Sequence, residues 1–337
     1  MKIGVIGTGL IGGSLGLALK SNSLWNSKKE NKILCFNRRI EVSKQAVNLN
    51  ITDQYCNSIS ELTEKSDVII IATNLFSYDE ISKKIAKKIT PDKIISDVGS
   101  VKLLPSEIIR KNFGEKADCF IPAHPIAGKE ISGINSADKF LYQNKKTIIC
   151  TSKNLAENKI KTISEIWEMA GSKIEFLDAQ NHDEIYAKIS HFPQLISFAN
   201  KKYISETSET KDFCRLQNSP QEMWQEIFHF NSENLKAEIL NFSINFTKLK
   251  TQNKYIEIDE NSNNDENFIS AFLISKIIFE NISEIHKNYA GSGFKSISSL
   301  AEKYKTSKAT KKVLENSINI IAKIQNDLEN WPLSRNF

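Results

Sequence analysis

The sequence has no CxxC pair, and its five cysteines, Cys35, Cys56, Cys119, Cys150 and Cys214, are scattered. That excludes the usual zinc spacings, so no metal site is expected. An odd, dispersed set fits reduced thiols in a cytoplasmic protein. No secretory leader is read at the N-terminus, where glycines at once break the apolar residues after Lys2. No membrane span is expected either. The longest apolar run, Phe268 to Ile285, carries Lys276, Glu280 and Glu284, which fits a buried helix. Charge of one sign is not in large excess: 45 Lys and Arg stand against 40 Asp and Glu, a formal net charge of +5 over 337 residues. That is too mild to indicate a nucleic-acid partner, and a Lys-rich solvated surface accounts for it. Hydrophobic residues make up 40% of the chain. A sizeable core and two domains follow from that fraction and length.

The first half alternates strand and helix signals. Lys2 to Ile6 and Lys32 to Phe36 read as strands, with a helix over Leu10 to Lys20 between them. Asp67 to Ala72 is a continuous β-branched run, as in a parallel strand buried on both faces. Lys93 to Ser96 and Thr147 to Cys150 repeat that character, and Tyr78 to Ile89 and Leu104 to Asn112 read as helices. The alternation predicts a doubly wound parallel sheet. After about residue 178 the chain turns helical. Asp183 to Ser205 is one helix candidate, with Pro193 expected to kink or break it. Pro220 to Leu240 is another, with Pro220 placed for a first turn. Asp259 to Asn267 reads as a polar loop, and Phe268 to Lys287 as a helix apolar nearly all round. The segment from Ala290 to Lys295 faintly echoes Asp212 to Arg215 and reads either as a degenerate repeat or as coincidence.

Gly7-Thr-Gly9-Leu-Ile-Gly12 follows a predicted strand and opens a predicted helix. The first glycine permits a tight turn, the second lets backbone approach a pyrophosphate, and the third lets helix pack on strand. The free N–H groups of the helix start, around Leu10 and Ile11, then face the phosphates. A dinucleotide is therefore expected, with Thr73, after the Asp67–Ala72 strand, added to its contacts. Where an NAD-selective site carries an acidic residue for the ribose 2′-hydroxyl, this chain has Asn37, Arg38 and Arg39. A carboxylate would repel a 2′-phosphate and a guanidinium would bind it, so NADP is expected over NAD. The plain alternative is that Arg38 and Arg39 start a solvated helix.

Three further segments bear on chemistry: Asp97-Val-Gly-Ser100-Val-Lys102, His124-Pro-Ile-Ala-Gly128-Lys-Glu130-Ile-Ser-Gly133, and Ser190-His191-Phe-Pro193-Gln194. With Gly9-Leu-Ile-Gly-Gly-Ser14, this ordered set resembles the prephenate/arogenate dehydrogenase family, from Met1 to about Trp224. The resemblance implies an enzyme that transfers hydride to a nicotinamide while its substrate loses carbon dioxide and becomes aromatic, on the route to tyrosine. It implies that His124 contacts the ring hydroxyl as general base, near whose working range imidazole titrates. It gives Ser100 a hydrogen-bonding place in the same cluster. Arg215 becomes a carboxylate clamp, suited by guanidinium geometry, with Asp212 orienting that region. His191, Glu130 and Trp224 join the substrate side. Prephenate and arogenate both remain open as substrate.

Each assignment has a bland counterpart. The functional reading is preferred for His124, His191 and Arg215 over structural histidines and a surface ion pair, Trp224 reads equally as core, and Asp97 reads also as a cap for the following turn. His182, His229 and His286 are read as structural. The chain departs from the family's pattern at Ser205 to Thr210, where a glycine-rich segment is common, and at Lys129, where a small hydroxyl residue is common. No C-terminal regulatory module of βαββαβ type is read. A β-hydroxyacid dehydrogenase would need Gly-x-x-x-Lys-x-x-x-Asn; Gly291 and Lys295 fit, but Ser299 stands in place of Asn. A non-catalytic NADP-sensing regulator would keep the glycines with no need of His124, Ser100 and Arg215 together. The expectation is an α/β Rossmann-type domain over residues 1–177 and an all-α domain over 178–337. The second would bind substrate and dimerise through its apolar helices, with the active site in the cleft between the domains.

Overall fold

The computed structural model describes residues 1–129, 131–152, 155–200 and 216–251. The chain divides into two compact units, Met1–His182 and a second from Asp183 onward, five residues past the expected boundary. The reading of Asp259 to Asn267 as a loop, the apolar helix over Phe268 to Lys287 and the echo at Ala290 lie outside the described residues.

The first unit holds a six-stranded parallel sheet in the order β3-β2-β1-β4-β5-β6. Its strands are β1 (Lys2–Ile6), β2 (Lys32–Phe36), β3 (Gln54–Tyr55), β4 (Val68–Ile71), β5 (Ile94–Asp97) and β6 (Phe120–Ile121). Between them run α1 (Leu10–Lys20), α2 (Ser23–Asn26), α3 (Ile40–Asn48), α4 (Ile59–Lys65), α5 (Tyr78–Ala86) and α6 (Leu103–Phe113). The pattern of β1 shows why its residues form a central strand. Ile3 and Val5 pack into one core with Leu15 and Leu19 of α1. Gly4, on the opposite face, lies so close to Leu62 and Ser66 that a β-carbon there would sit 2.5 Å from each. Helices therefore cover both faces, and the strands read as unbroken apolar runs for that reason. Strand order reverses between β1 and β4, and the register places Ile6 beside Ile71 and Ile71 beside Asp97. The loops after β1, β4 and β5 thus gather along one carboxyl edge, the usual ligand edge of such sheets.

Thr147 to Cys150 does not extend that sheet. It lies in a second, three-stranded one made of β7 (Ala123–Pro125), β8 (Lys146–Cys150) and β9 (Lys173–Leu177), where β7 and β8 are antiparallel. The chain passes from β6 to β7 across the single residue Pro122. Apolar composition could not separate the two sheets, because both faces of β8 are covered too. Helix α7 (Glu157–Met169) supplies Trp167, whose ring meets Tyr142 edge-on at 5.1 Å.

One buried ion pair ties the sheets together. Lys102 Nζ lies 2.5 Å from Asp97 Oδ2, with both side chains about 1% exposed. The same ammonium donates to Ala123 O at 2.7 Å, while Asp97 Oδ1 accepts from Ala123 N at 3.1 Å. Asp97 Oδ2 also accepts from Tyr78 Oη and Gly99 N, each at 2.9 Å. Burial, then the Asp97 charge, pushes the Tyr78 phenol well above its ordinary pKa, so it stays a donor. Asp97 is thus far more than a turn cap.

Helix α8 (Ala179–Tyr186) leads into a π turn over Ala187–His191 and then α9 (Phe192–Asn200). Pro193 does not break this run. It lacks an N–H to donate, and the wide turn just before it absorbs the misfit. Helices α10 (Gln221–Phe230) and α11 (Ser232–Thr251) follow, separated at Asn231, where the sequence suggested one helix. Pro220 sits at the N-cap of α10 rather than inside its first turn.

Replacing Lys102 by Met leaves Asp97 as an uncompensated buried charge. The expected loss of unfolding free energy is about 3–5 kcal/mol, read as a lower urea midpoint. The double variant Asp97→Asn, Lys102→Met should recover part of it. A Lys102→Met protein as stable as wild type would contradict this role of the pair.

Candidate active site

The glycine turn has the three distinct environments its spacing demands. Gly7 has φ +95°, and a β-carbon there would meet Ala72 O at 2.5 Å and the Thr73 methyl at 3.1 Å. A β-carbon at Gly12 would stand 2.1 Å from Gly7 O and 2.9 Å from Val5 Cγ1. Gly9 is different: a β-carbon there would meet nothing within 4 Å. It caps α1 with no side-chain hydrogen bond, and no acidic residue lies in the first turn. An open space before an uncapped helix start, at Leu10 and Ile11, fits a pyrophosphate. These residues therefore suit the dinucleotide that the motif implies.

Asn37, at the end of β2, holds this turn in place. Its Oδ1 accepts from Thr8 N at 2.8 Å, and its Nδ2 donates to Thr8 Oγ1 at 2.9 Å and Ser43 Oγ at 3.1 Å. Asn37 is thus a support for the glycine turn, whatever else it contacts. Arg38 and Arg39 are both exposed at the same edge.

Ser100 and His124 hang from one carboxylate. Asp97 fixes the Val98–Gly99 turn that carries Ser100, and fixes Ala123, the residue before His124. Ser100 is half-buried and His124 is 8% exposed. In β7, His124 pairs across the strand with Ile148. Its Nδ1 lies 2.9 Å from His182 Nε2, with the rings edge-on at 65°. His182, read from sequence as structural, is therefore the direct partner of the candidate base. Nothing local to its sequence position signals that, since the two residues stand 58 apart.

In the second unit the buried His191 ends the π turn. Asn231 Nδ2 donates to Asp183 O at 2.9 Å and approaches His191 Nδ1 at 2.9 Å. A carbonyl only accepts, so the amide orientation is settled and His191 Nδ1 is an acceptor. Neutral His191 then carries its proton on Nε2. Trp224 stands edge-on to His191 at 6.1 Å, and its indole Nε1 is buried without a hydrogen-bond partner among the described residues.

Glu130, Asp212 and Arg215 lie outside the described residues. So does His286. His229 is half-buried in α10, and burial lowers its pKa. Lys129 pairs with Asp138 at 2.8 Å, and this bond leads the lowering of the Asp138 pKa. Its charge is therefore shared within its own loop.

Comparison with known proteins bears on the family of the whole chain. Residues 20–176 match the family model for the prephenate dehydrogenase nucleotide-binding domain, and residues 178–272 match the one for the prephenate dehydrogenase dimerization domain. A cyclohexadienyl dehydrogenase of Zymomonas mobilis is 25% identical, over 74% of this chain and 87% of its own length. A prephenate dehydrogenase of Lactococcus lactis is 28% identical, over 72% of this chain and 68% of its own. The solved prephenate dehydrogenase of A. aeolicus, in complex with hydroxyphenyl propionate and NAD+, is 28% identical with a TM-score of 0.67, over 74% of this chain and 90% of that one. With an open glycine cradle on a parallel sheet and both family models matched in order, the chain belongs to the prephenate dehydrogenase family of nicotinamide-dependent oxidoreductases.

Proposed function

We propose that this enzyme oxidatively decarboxylates prephenate to 4-hydroxyphenylpyruvate, with arogenate as the alternative substrate, and that it prefers NADP to NAD. The observation that carries the reading is the single carboxylate, Asp97, from which both the Ser100 turn and the His124 strand are held. It stands two strands along from β1, roughly 10 Å from the glycine edge at ordinary strand spacing.

His124 takes the proton of the ring hydroxyl, and Ser100 orients the hydroxyl or the imidazole. The bound nicotinamide supplies the hydride acceptor for the hydroxyl-bearing carbon. The bond to the ring carboxylate then breaks, its electron pair enters the ring, and carbon dioxide leaves. The resulting phenolate oxygen recovers its proton from His124, so the base ends as it began. Arg215 clamps a substrate carboxylate and Asp212 orients that segment. His191, with its Nε2–H, donates to the substrate. Trp224 walls the pocket and Glu130 adds a polar contact. Gly7, Gly9, Leu10, Ile11, Gly12 and Thr73 hold the dinucleotide, and Arg38 and Arg39, exposed where an acid would select NAD, bind a 2′-phosphate. Residues 1–177 make the dinucleotide-binding domain, and residues 178–337 bind substrate and form a homodimer. Among the described residues, the buried, free cysteines Cys35, Cys56 and Cys119 support a reducing, cytoplasmic setting. Among the described residues, no helix is long and apolar enough to cross a membrane.

A four-way assay of prephenate and arogenate, each with NAD and NADP, tests this directly. Reduced nicotinamide should form with prephenate, and kcat/KM should favour NADP. A clear preference for NAD would overturn the assignment of Arg38 and Arg39. His124→Asn should lower kcat by roughly 10²–10⁴-fold with the cofactor KM nearly unchanged. Turnover near wild type would remove His124 as the base. Arg215→Ala should mainly raise the substrate KM, and an unchanged KM would contradict the clamp.

A further inference from the structure

We propose that His182 is a positioning residue for His124. It accepts a hydrogen bond from His124 Nδ1–H and so fixes the neutral ring in the tautomer whose lone pair lies on Nε2. The proposal rests on the reading of His124 as the proton acceptor.

Two ring nitrogens 2.9 Å apart need one proton between them. Two lone pairs at that distance repel, and two N–H groups clash. The rings meet edge-on, with centroids 5.1 Å apart, so the contact is an in-plane hydrogen bond rather than a stack. The proton has two possible owners. If it belongs to His182 Nε2, then His124 Nδ1 accepts and the proton of His124 sits on Nε2. That nitrogen could only donate, and the ring could not take a proton from a hydroxyl. If it belongs to His124 Nδ1, Nε2 carries the lone pair and the ring is ready as a base. Proton uptake then makes His124 an imidazolium, and its bond to the His182 lone pair becomes charge-assisted and stronger. His182 must stay neutral throughout, because a second positive charge at 2.9 Å would be strongly disfavoured.

The backbone holds both rings in register. His182 is fully buried in α8, and its N–H donates to Asp178 O at 3.0 Å. Asp178 Oδ1 in turn accepts from Asn181 N at 2.8 Å. On the other side, the Asp97–Lys102 pair grips both the N–H and the carbonyl of Ala123, next to His124. These bonds fix the backbone from which each imidazole projects. A neutral partner orients the base without adding charge to a site that must also hold an anion.

The test uses the full-length protein labelled with ¹⁵N-histidine, in which five histidines give signals and His124→Asn assigns one. Neutral His124 should show the Nδ1–H tautomer. His182→Leu should shift it toward Nε2–H and lower kcat by roughly tenfold or more, with both KM values within about threefold of wild type. His182→Gln, whose Oε1 replaces the Nε2 acceptor, should restore the Nδ1–H tautomer and most of kcat. An Nε2–H tautomer in the wild type would overturn the proposal. So would a Leu variant that keeps both the tautomer and kcat, or a Gln variant no better than Leu. If the Leu variant fails to fold, the wild-type and Gln spectra still decide. Failure of the base reading looks different: His124→Asn would keep turnover while the wild-type tautomer stayed as expected.

Discussion

The buried contact between Asp97 and Lys102 is the constraint on which the first unit depends. A paired charge in an apolar interior recovers little net free energy, because desolvation offsets most of the attraction. Its value here is geometric. One carboxylate and one ammonium, both out of water, engage the N–H and carbonyl of Ala123, the N–H of Gly99 and the phenol of Tyr78. Four points from three chain segments are fixed by two side chains. The chain can therefore leave the parallel sheet at Ile121, start another at Ala123 and still deliver His124 at a defined place. An apolar pair of the same volume would fill the space without specifying those bonds.

From that anchor the polar groups of each unit divide by the direction in which they hold a proton. In the first unit, the bond proposed from His124 to a neutral His182 would suit an acceptor role for the outer nitrogen of His124. In the second, Asn231 donates to His191 and leaves that ring with a proton to give. On the function proposed above, two histidines take opposite proton roles through a single neighbouring atom each. The π turn at Ala187–His191 belongs to the same economy of means: the proline that follows removes a hydrogen bond, the turn widens, and His191 is its last residue.

Much of this architecture was legible in the residues alone. The Asp67–Ala72 run, the glycine spacing and the strand at Lys32 each carry a local period or a local steric demand, and β4, the Gly7 turn and β2 stand where those demands put them. The motif around His124 put that residue forward for the role proposed above. What could not be read is what depends on pairing across distance. Thr147 to Cys150 has the same composition whether it extends the large sheet or pairs with β7 in another. His182 has no local mark of its bond to His124, and Asp97 looked like a turn cap because a buried lysine five positions later is not foreseeable from periodicity. A clue to Lys102 did exist in its apolar setting, between Val101 and Leu103. The break at Asn231 was hidden for a similar reason: an asparagine with helical neighbours shows its role only once His191 and Asp183 are beside it.

The most direct measurement of the central claim is a crystal structure of the full-length enzyme with oxidised cofactor and the phenolic product bound together. The account predicts that His124 Nε2 lies within about 2.6–3.2 Å of the ring hydroxyl oxygen, with the glycine turn against the pyrophosphate. A ternary complex in which that hydroxyl is bound by other groups, out of reach of His124, would contradict it.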